Sequence, residues 1–165
     1  MDTRKLFGGI LETGEAVRWR EERRIEGRRV VFTNGCFDVL HAGHVAYLAW
    51  ARAQGDALIV GLNSDESVRH LKGDRRPIVT FEDRAMLLSA LRSVDAVVGF
   101  NERTPEVIID ILKPDVFVKS AQYREEELPE RTVVRQHGGE ILLAPHVAGH
   151  STTDVIAEII SRYGA

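Results

Sequence analysis

From residue 29 onward, short apolar runs alternate with longer stretches in which apolar residues recur at helical spacing. Five runs predict strands: 29–34 (RVVFTN), 57–62 (ALIVGL), 96–100 (AVVGF), 116–119 (VFVK) and 140–144 (EILLA). They are rich in Val, Ile and Leu with little polar alternation, as in strands covered on both faces. Helical patterns lie between them. Val45, Leu48 and Ala49 share one face, and Gly55 follows as a stop. Residues 80–83 (TFED) have capping-box spacing ahead of MLLSAL, with Asp in place of the usual Glu. Thr104-Pro105 predicts an N-cap followed by a first-turn proline, and Pro114 closes that helix. Residues 126–137 and 152–163 predict two more helices.

This β-α repetition predicts an α/β protein with a doubly wound, five-stranded parallel sheet. In such sheets ligands sit beyond the C-terminal ends of the strands, where strand order reverses. The first 28 residues follow another pattern. Gly8, Gly9 and Gly14 interrupt an early helix, while 16–26 predicts a helix whose Arg and Glu side chains are mostly solvated. Residues 1–27 are therefore read as a partly helical N-terminal extension and 28–165 as one domain.

Composition narrows the function classes. The 165 residues are 44% hydrophobic and 28% charged, which fits one globular domain with a substantial core. The 22 basic residues against 25 acidic ones leave a formal charge of −3, so no general affinity for nucleic acid is expected. The single cysteine, Cys36, allows no internal disulfide. No apolar run approaches the ~20 residues that span a bilayer, and no signal-peptide pattern opens the chain. A cytoplasmic protein without membrane contact is the expectation.

The chemistry concentrates after the first of these five strands, in Thr33-Asn34-Gly35-Cys36-Phe37-Asp38-Val39-Leu40-His41-Ala42-Gly43-His44. His41 and His44 are three apart on a first helical turn and can face one point. Gly35 and Gly43 leave room for a ligand near the backbone. A helix N-terminus adds unpaired N–H groups and positive potential, both suited to phosphate. The plain alternative is a histidine cap, a packed histidine and a loop glycine. A zinc site would have only Cys36 or Asp38 as a further ligand. There is no GxxxxGK[ST], GxGxxG or GxSxG pattern.

GCFDVLHAGH resembles the HxGH signature of the cytidylyltransferase-like nucleotidyltransferases, and His150-Ser151-Thr152-Thr153 matches their ISTT motif. The run VFTNGCFDVLHAGHVAYLAWARAQGDALIVGLNSDESVRHLKGDRRPI resembles the heptose-1-phosphate adenylyltransferases, the adenylyltransferase domains of ADP-heptose synthases. The resemblance covers about residues 28–160. It implies a Rossmann-like nucleotidyltransferase fold of strand order 3-2-1-4-5, dependence on Mg²⁺ and a homodimer. It also implies transfer of AMP from ATP to a sugar 1-phosphate, with D-glycero-D-manno-heptose 1-phosphate the expected acceptor, and release of pyrophosphate. A sugar kinase, expected as a separate protein, would act upstream. The alternatives are a cytidylyltransferase for glycerol phosphate or another phosphorylated alcohol, and a nucleotide-binding module without catalysis.

By the same resemblance His41, His44, Lys72 and Arg84 are the catalytic candidates. Asn34, Gly35, Cys36, Phe37, Asp38, Gly43, Lys119, Gln122, Ser151 and Thr152 are the nucleotide-binding ones, with Asp38 also a candidate metal ligand. Read without it, Lys72 in the polar stretch LKGDRRP is solvated surface, Arg84 an exposed helix arginine, and Ser151 a helix cap. The resembled enzymes read KGGDY where this chain has Lys119-Ser120-Ala121-Gln122-Tyr123. An amide thus replaces a carboxylate at Gln122, which bears on the choice of base or acceptor.

Overall fold

The computed structural model describes residues 9–146 and 151–164. The chain runs β1 (Ile10–Leu11), α1 (Thr13–Ile25), β2 (Val30–Gly35), α2 (Ala42–Arg52), β3 (Ala57–Asn63), α3 (Asp65–Lys72) and α4 (Phe81–Ser89). It continues with β4 (Ala96–Phe100), α5 (Glu106–Leu112), β5 (Val116–Ser120), α6 (Arg131–Gln136), β6 (Glu140–Ala144) and α7 (Thr152–Tyr163). All neighbouring strands are parallel, in the order β1-β4-β3-β2-β5-β6.

Strand residues feed two cores by simple alternation. Val30, Phe32, Ile59, Val98 and Phe117 face one layer with Ala16 of α1, Ile109 of α5 and Val134 of α6. Val31, Leu58, Val60, Val97 and Val118 face the other, with Leu48 of α2 and Leu88 of α4. All seven residues of β3 are buried, which explains its uninterrupted apolar sequence. Among the described residues no helix is long and apolar enough to cross a membrane.

The five predicted strands lie in the expected order, but the sheet has six. Ile10 and Leu11 pair with Val97 and Val98 at the β4 edge, a strand too short to leave a pattern in the sequence. Helix α1 packs on the sheet through Ala16, and its Arg20 is buried rather than solvated. Arg20 donates to the Lys113 carbonyl and, at 3.0 Å, to Asp115 Oδ1, closing the start of β5.

Two helix boundaries also differ. The helix after Thr104 starts at Glu106, with Pro105 as its cap. The helix expected over 126–137 is broken into a 3₁₀ turn, Glu125–Glu127, and α6. The cause is Pro129, which disfavours helical backbone at the residue before it and lacks an N–H; Leu128 is extended. Elsewhere local chemistry matches the sequence. Thr80 caps α4 by accepting from Asp83 N–H, Ser64 caps α3 by accepting from Ser67 N–H, and Ser151 caps α7 by accepting from Asp154 N–H.

Candidate active site

Strand β2 is central, with β3 on one side and β5 on the other, so the crevice at the C-terminal ends of β2 and β5 is where strand order reverses. Helix α2 begins above it. Thr33 Oγ1 lies 2.6 Å from Tyr47 Oη, and both hydroxyls contact the Val118 carbonyl, at 2.9 and 3.1 Å. This knot ties α2 to both strands and sets its start over the crevice.

The connection from β2 to α2 is strained. Phe37 and Val39 both have positive φ, 46° and 54°, a conformation unfavourable for any residue with a Cβ and most of all for a β-branched one. At Gly35 a Cβ would lie 3.0 Å from the Phe37 ring, a tight contact that glycine avoids. Asp38, between the two strained residues and 1% exposed, holds the turn. Its carboxylate accepts from Ile78 N–H and Val79 N–H at 2.9 Å each, and from Arg76 Nε. Burial pushes the Asp38 pKa up, but the two backbone N–H groups and the Arg76 guanidinium outweigh it and hold the carboxyl below its usual value. Its carbonyl accepts from Thr152 Oγ1 at 2.7 Å. Asp38 therefore joins the histidine turn, the LKGDRRP stretch and the start of α7.

Both oxygens of Asp38, the candidate metal ligand, are thus engaged by protein donors. Among the described residues no group of three His, Cys, Asp or Glu side chains comes together as a metal site.

His41 is the N-cap of α2 but supplies no side-chain cap hydrogen bond, in contrast to Ser64, Thr80 and Ser151 on α3, α4 and α7. The His41 side chain therefore leaves the Ala42 and Gly43 N–H groups for another acceptor, while the His44 N–H donates to the His41 carbonyl at 3.0 Å. The His41 and His44 rings stack with centroids 3.8 Å apart, and Phe37 meets His44 edge-on at 5.2 Å. His44 Nδ1 is buried without a hydrogen-bond partner. Burial, and then the neighbouring His41, lower the His44 pKa to about 4, so the ring is neutral near neutrality. Gly43 is buried within the same turn.

The cations around this turn divide into two sets. Arg76 pairs with Asp38, Arg84 with Asp65 and Lys119 with Glu130. Arg84 is not an exposed helix arginine. It is 1% exposed and donates to the carbonyls of Val79 (3.0 Å) and Cys36 (2.5 Å) and to Asp65 Oδ1 (2.7 Å). Its guanidinium braces the β2–α2 turn from behind. Lys72 and Arg75 form the second set. They are exposed and, among the described residues, enter no salt bridge. Lys72 is the last residue of α3 rather than part of the loop, and Gly73 follows with φ 91°, a backbone conformation suited to glycine. Cys36 is half-buried; burial pushes its thiol up against the opposing fields of Lys72, Arg84 and Arg76. A protonated thiol is a poor nucleophile.

On the far side of the crevice, Lys119 Nζ donates to Asn34 Oδ1 at 2.9 Å and to Glu130 Oε1 at 2.7 Å. Gln122 is exposed, its amide 3.0 Å from His146 Nδ1. Ser151 acts as a cap and Thr152 as a tie, as described; His150 of the same motif lies outside the described residues. Another cleft, of about 480 Å³, lies at the opposite ends of the strands around Arg20, Arg28 and Arg29. Those arginines pair with Asp115, Glu26 and Glu140.

The site thus gathers His41, His44, Asn34, Gly35, Asp38, Lys119 and Thr152 around one strand end. Arg76, Asp65 and Glu130, which contribute to it as bracing partners, were not singled out from sequence. Asp65 sits in the first turn of α3 and Glu130 at the N-cap position of α6, where acidic residues are ordinary, so neither stands out.

The pattern of the family described as cytidylyltransferase-like matches residues 32–158. The chain is 50% identical over 141 residues to the bifunctional protein HldE of Geobacter sulfurreducens, covering 86% of this chain and 29% of that protein. Against the Shewanella amazonensis protein of the same name it is 46% identical over 155 residues, covering 94% and 33%. The chain thus spans about a third or less of these relatives. The crystal structure of a lipopolysaccharide core biosynthesis protein from Thermoplasma volcanium superposes with a TM-score of 0.62 at 27% identity, over 73% of this chain and 98% of that one. A pantoate-beta-alanine ligase from Francisella tularensis, 12% identical with a TM-score of 0.57, shares the fold. The HxGH resemblance is borne out over most of the sequence: the chain belongs to the cytidylyltransferase-like family.

Proposed function

We propose that the chain is a nucleotidyltransferase that moves AMP from ATP to a sugar 1-phosphate, with D-glycero-D-manno-heptose 1-phosphate the leading acceptor. The observation that carries this reading is the start of α2, where two stacked histidines and the Ala42 and Gly43 N–H groups, not capped by the His41 side chain, stand at the crevice after the central strand. The long similarity to the HldE proteins supports ATP over CTP.

In the reaction, an oxygen of the acceptor phosphate attacks the α-phosphorus of ATP. A new P–O bond forms, the bond to the bridging oxygen of the β-phosphate breaks, and pyrophosphate leaves with that electron pair. The acceptor is already an anion, so no enzyme nucleophile is needed. The protein's task is to bring two anions together in line and stabilise the charge that moves onto the leaving group. His41 and His44 contact triphosphate oxygens. His44 enters neutral and therefore acts as a polar contact whose protonation the arriving phosphate favours. Lys72 and Arg75 close over the phosphates, because they are not already balanced by a carboxylate. Arg84 acts as a positioning residue through the Cys36 carbonyl. Mg²⁺ arrives as part of the nucleotide substrate, bound by its phosphates. The phosphate on the acceptor requires a sugar kinase acting beforehand. We read the protein as a cytoplasmic homodimer on the same resemblance.

Pyrophosphate release from ATP and CTP, each paired with sugar 1-phosphates and with glycerol phosphate, tests the reading. Turnover is expected with ATP and the heptose phosphate. Preferential turnover of CTP with glycerol phosphate would make the chain a cytidylyltransferase. Tight nucleotide binding with no turnover on any acceptor would make it a binding module.

A further inference from the structure

We infer that Glu130, a residue outside every recognisable motif of this chain, is a positioning residue that aims Lys119 at the nucleotide. The inference rests on the nucleotide-binding reading above. In the parallel pairing of β2 with β5, Thr33 is opposite Val118, so Asn34 and Lys119 emerge side by side at the crevice. An ammonium has three N–H donors. Two of those on Lys119 are occupied, one by Asn34 Oδ1 and one by Glu130 Oε1. The Lys119 side chain keeps 16% of its surface exposed, whereas that of Glu130 keeps 2%. One donor therefore remains for a ligand, in a direction set by the two bonds already made.

Stability alone is a poor account of Glu130. A buried carboxylate loses its hydration, and an ion pair commonly does no more than offset that loss. Here the loss is not fully offset, because Glu130 Oε2 is buried without a hydrogen-bond partner. Its neighbours Leu128 and Val134 belong to the apolar core, where an aliphatic residue at position 130 would pack without desolvating a charge. What the carboxylate does supply is a fixed anchor for a flexible four-carbon side chain. Held this way, Lys119 loses little further rotamer freedom when it takes a phosphate oxygen, which favours binding.

Geometry and charge make opposite predictions for two substitutions that keep position 130 polar. Glu130→Asp preserves the charge but withdraws it by one methylene. Glu130→Gln removes the charge but leaves an acceptor at the same reach. Calorimetric titration with ATP and Mg²⁺ on the full chain reads the difference. Glu130→Asp is expected to weaken ATP binding by about fivefold or more, while Glu130→Gln stays within about twofold of the unaltered chain. In a Lys119→Met background Glu130→Asp should add nothing, since the two act through one ammonium. Thermal denaturation of each variant confirms that it is folded at the titration temperature. Unchanged ATP affinity in Glu130→Asp overturns the inference, as does a further loss from Glu130→Asp in the Lys119→Met background. If the unaltered chain binds no ATP, the proposed function falls and the inference with it; the other two results leave that function standing.

Discussion

At the scale of single residues, His44 shows how a common side chain becomes specialised by its surroundings. The ring lies against Phe37 and His41, and its pKa falls from the ordinary 6.5 to about 4. The folded protein thus disfavours the charged ring, whereas the unfolded chain protonates at the ordinary value. Between those values the unfolded state binds more protons, so stability is unaffected above pH 6.5 and falls as pH drops from 6.5 toward 4. An NMR titration of the His44 ring should place its midpoint near 4 in the ligand-free protein. In His44→Gln the acid-side loss of melting temperature should be smaller. The same variant should lower kcat about 10²-fold or more if the ring contacts oxygens that gain charge in the transition state. A fall in stability at neutral pH with unchanged turnover would instead assign His44 to packing.

At the scale of elements, Asp38 and Thr152 explain how segments far apart in sequence act together. The hydroxyl of Thr152 opens α7 and reaches back to the carbonyl of Asp38, while the Asp38 carboxylate takes two N–H groups from the stretch leading into α4. Breaking the first of these ties isolates its role. Thr152→Val keeps the shape but leaves the Asp38 carbonyl without that donor, a loss on the order of 1–2 kcal/mol. The expected result is a lower melting temperature together with a raised KM for ATP, since the β2–α2 turn carries the histidines. Denaturant titration and steady-state kinetics check the two halves. A change in stability with unaltered KM would show that the tie serves the fold alone. Boundaries of elements were legible where local chemistry sets them: Thr80 and Ser151 are caps read directly from residue type and spacing. The break before α6 was legible in principle too, since Pro129 stands within the predicted helix.

At the scale of the whole molecule, the site is a junction at the open end of the sheet. The Arg76–Asp38, Arg84–Asp65 and Lys119–Glu130 pairs stiffen that end in the absence of ligand, while Lys72 and Arg75 stay available. A ligand that binds this arrangement and not the unfolded chain raises the melting temperature by an amount that grows with the logarithm of its concentration relative to Kd. Saturating ATP with Mg²⁺ should therefore raise it by several degrees (about 3 kcal/mol at 100 times Kd). Lys72→Ala should reduce the shift without changing the melting temperature of the free protein. An unchanged shift in that variant would place Lys72 away from the phosphates.

The sequence by itself determined the parallel five-strand core and the family, because apolar runs, caps and the HxGH turn are local signals in contiguous residues. It also marked His41, His44, Lys119 and Thr152, which lie in or beside such signals. Only the tertiary structure decided what these residues touch. The strand β1 exists because β4 offers it an edge, not because two residues have a pattern of their own. Arg20 and Arg84 are buried because distant backbone carbonyls and carboxylates meet them there. Asp38 became a brace and Glu130 an anchor through partners 40 and 11 residues away. Such roles depend on where the chain returns in space, and a residue's type and immediate neighbours do not encode that return.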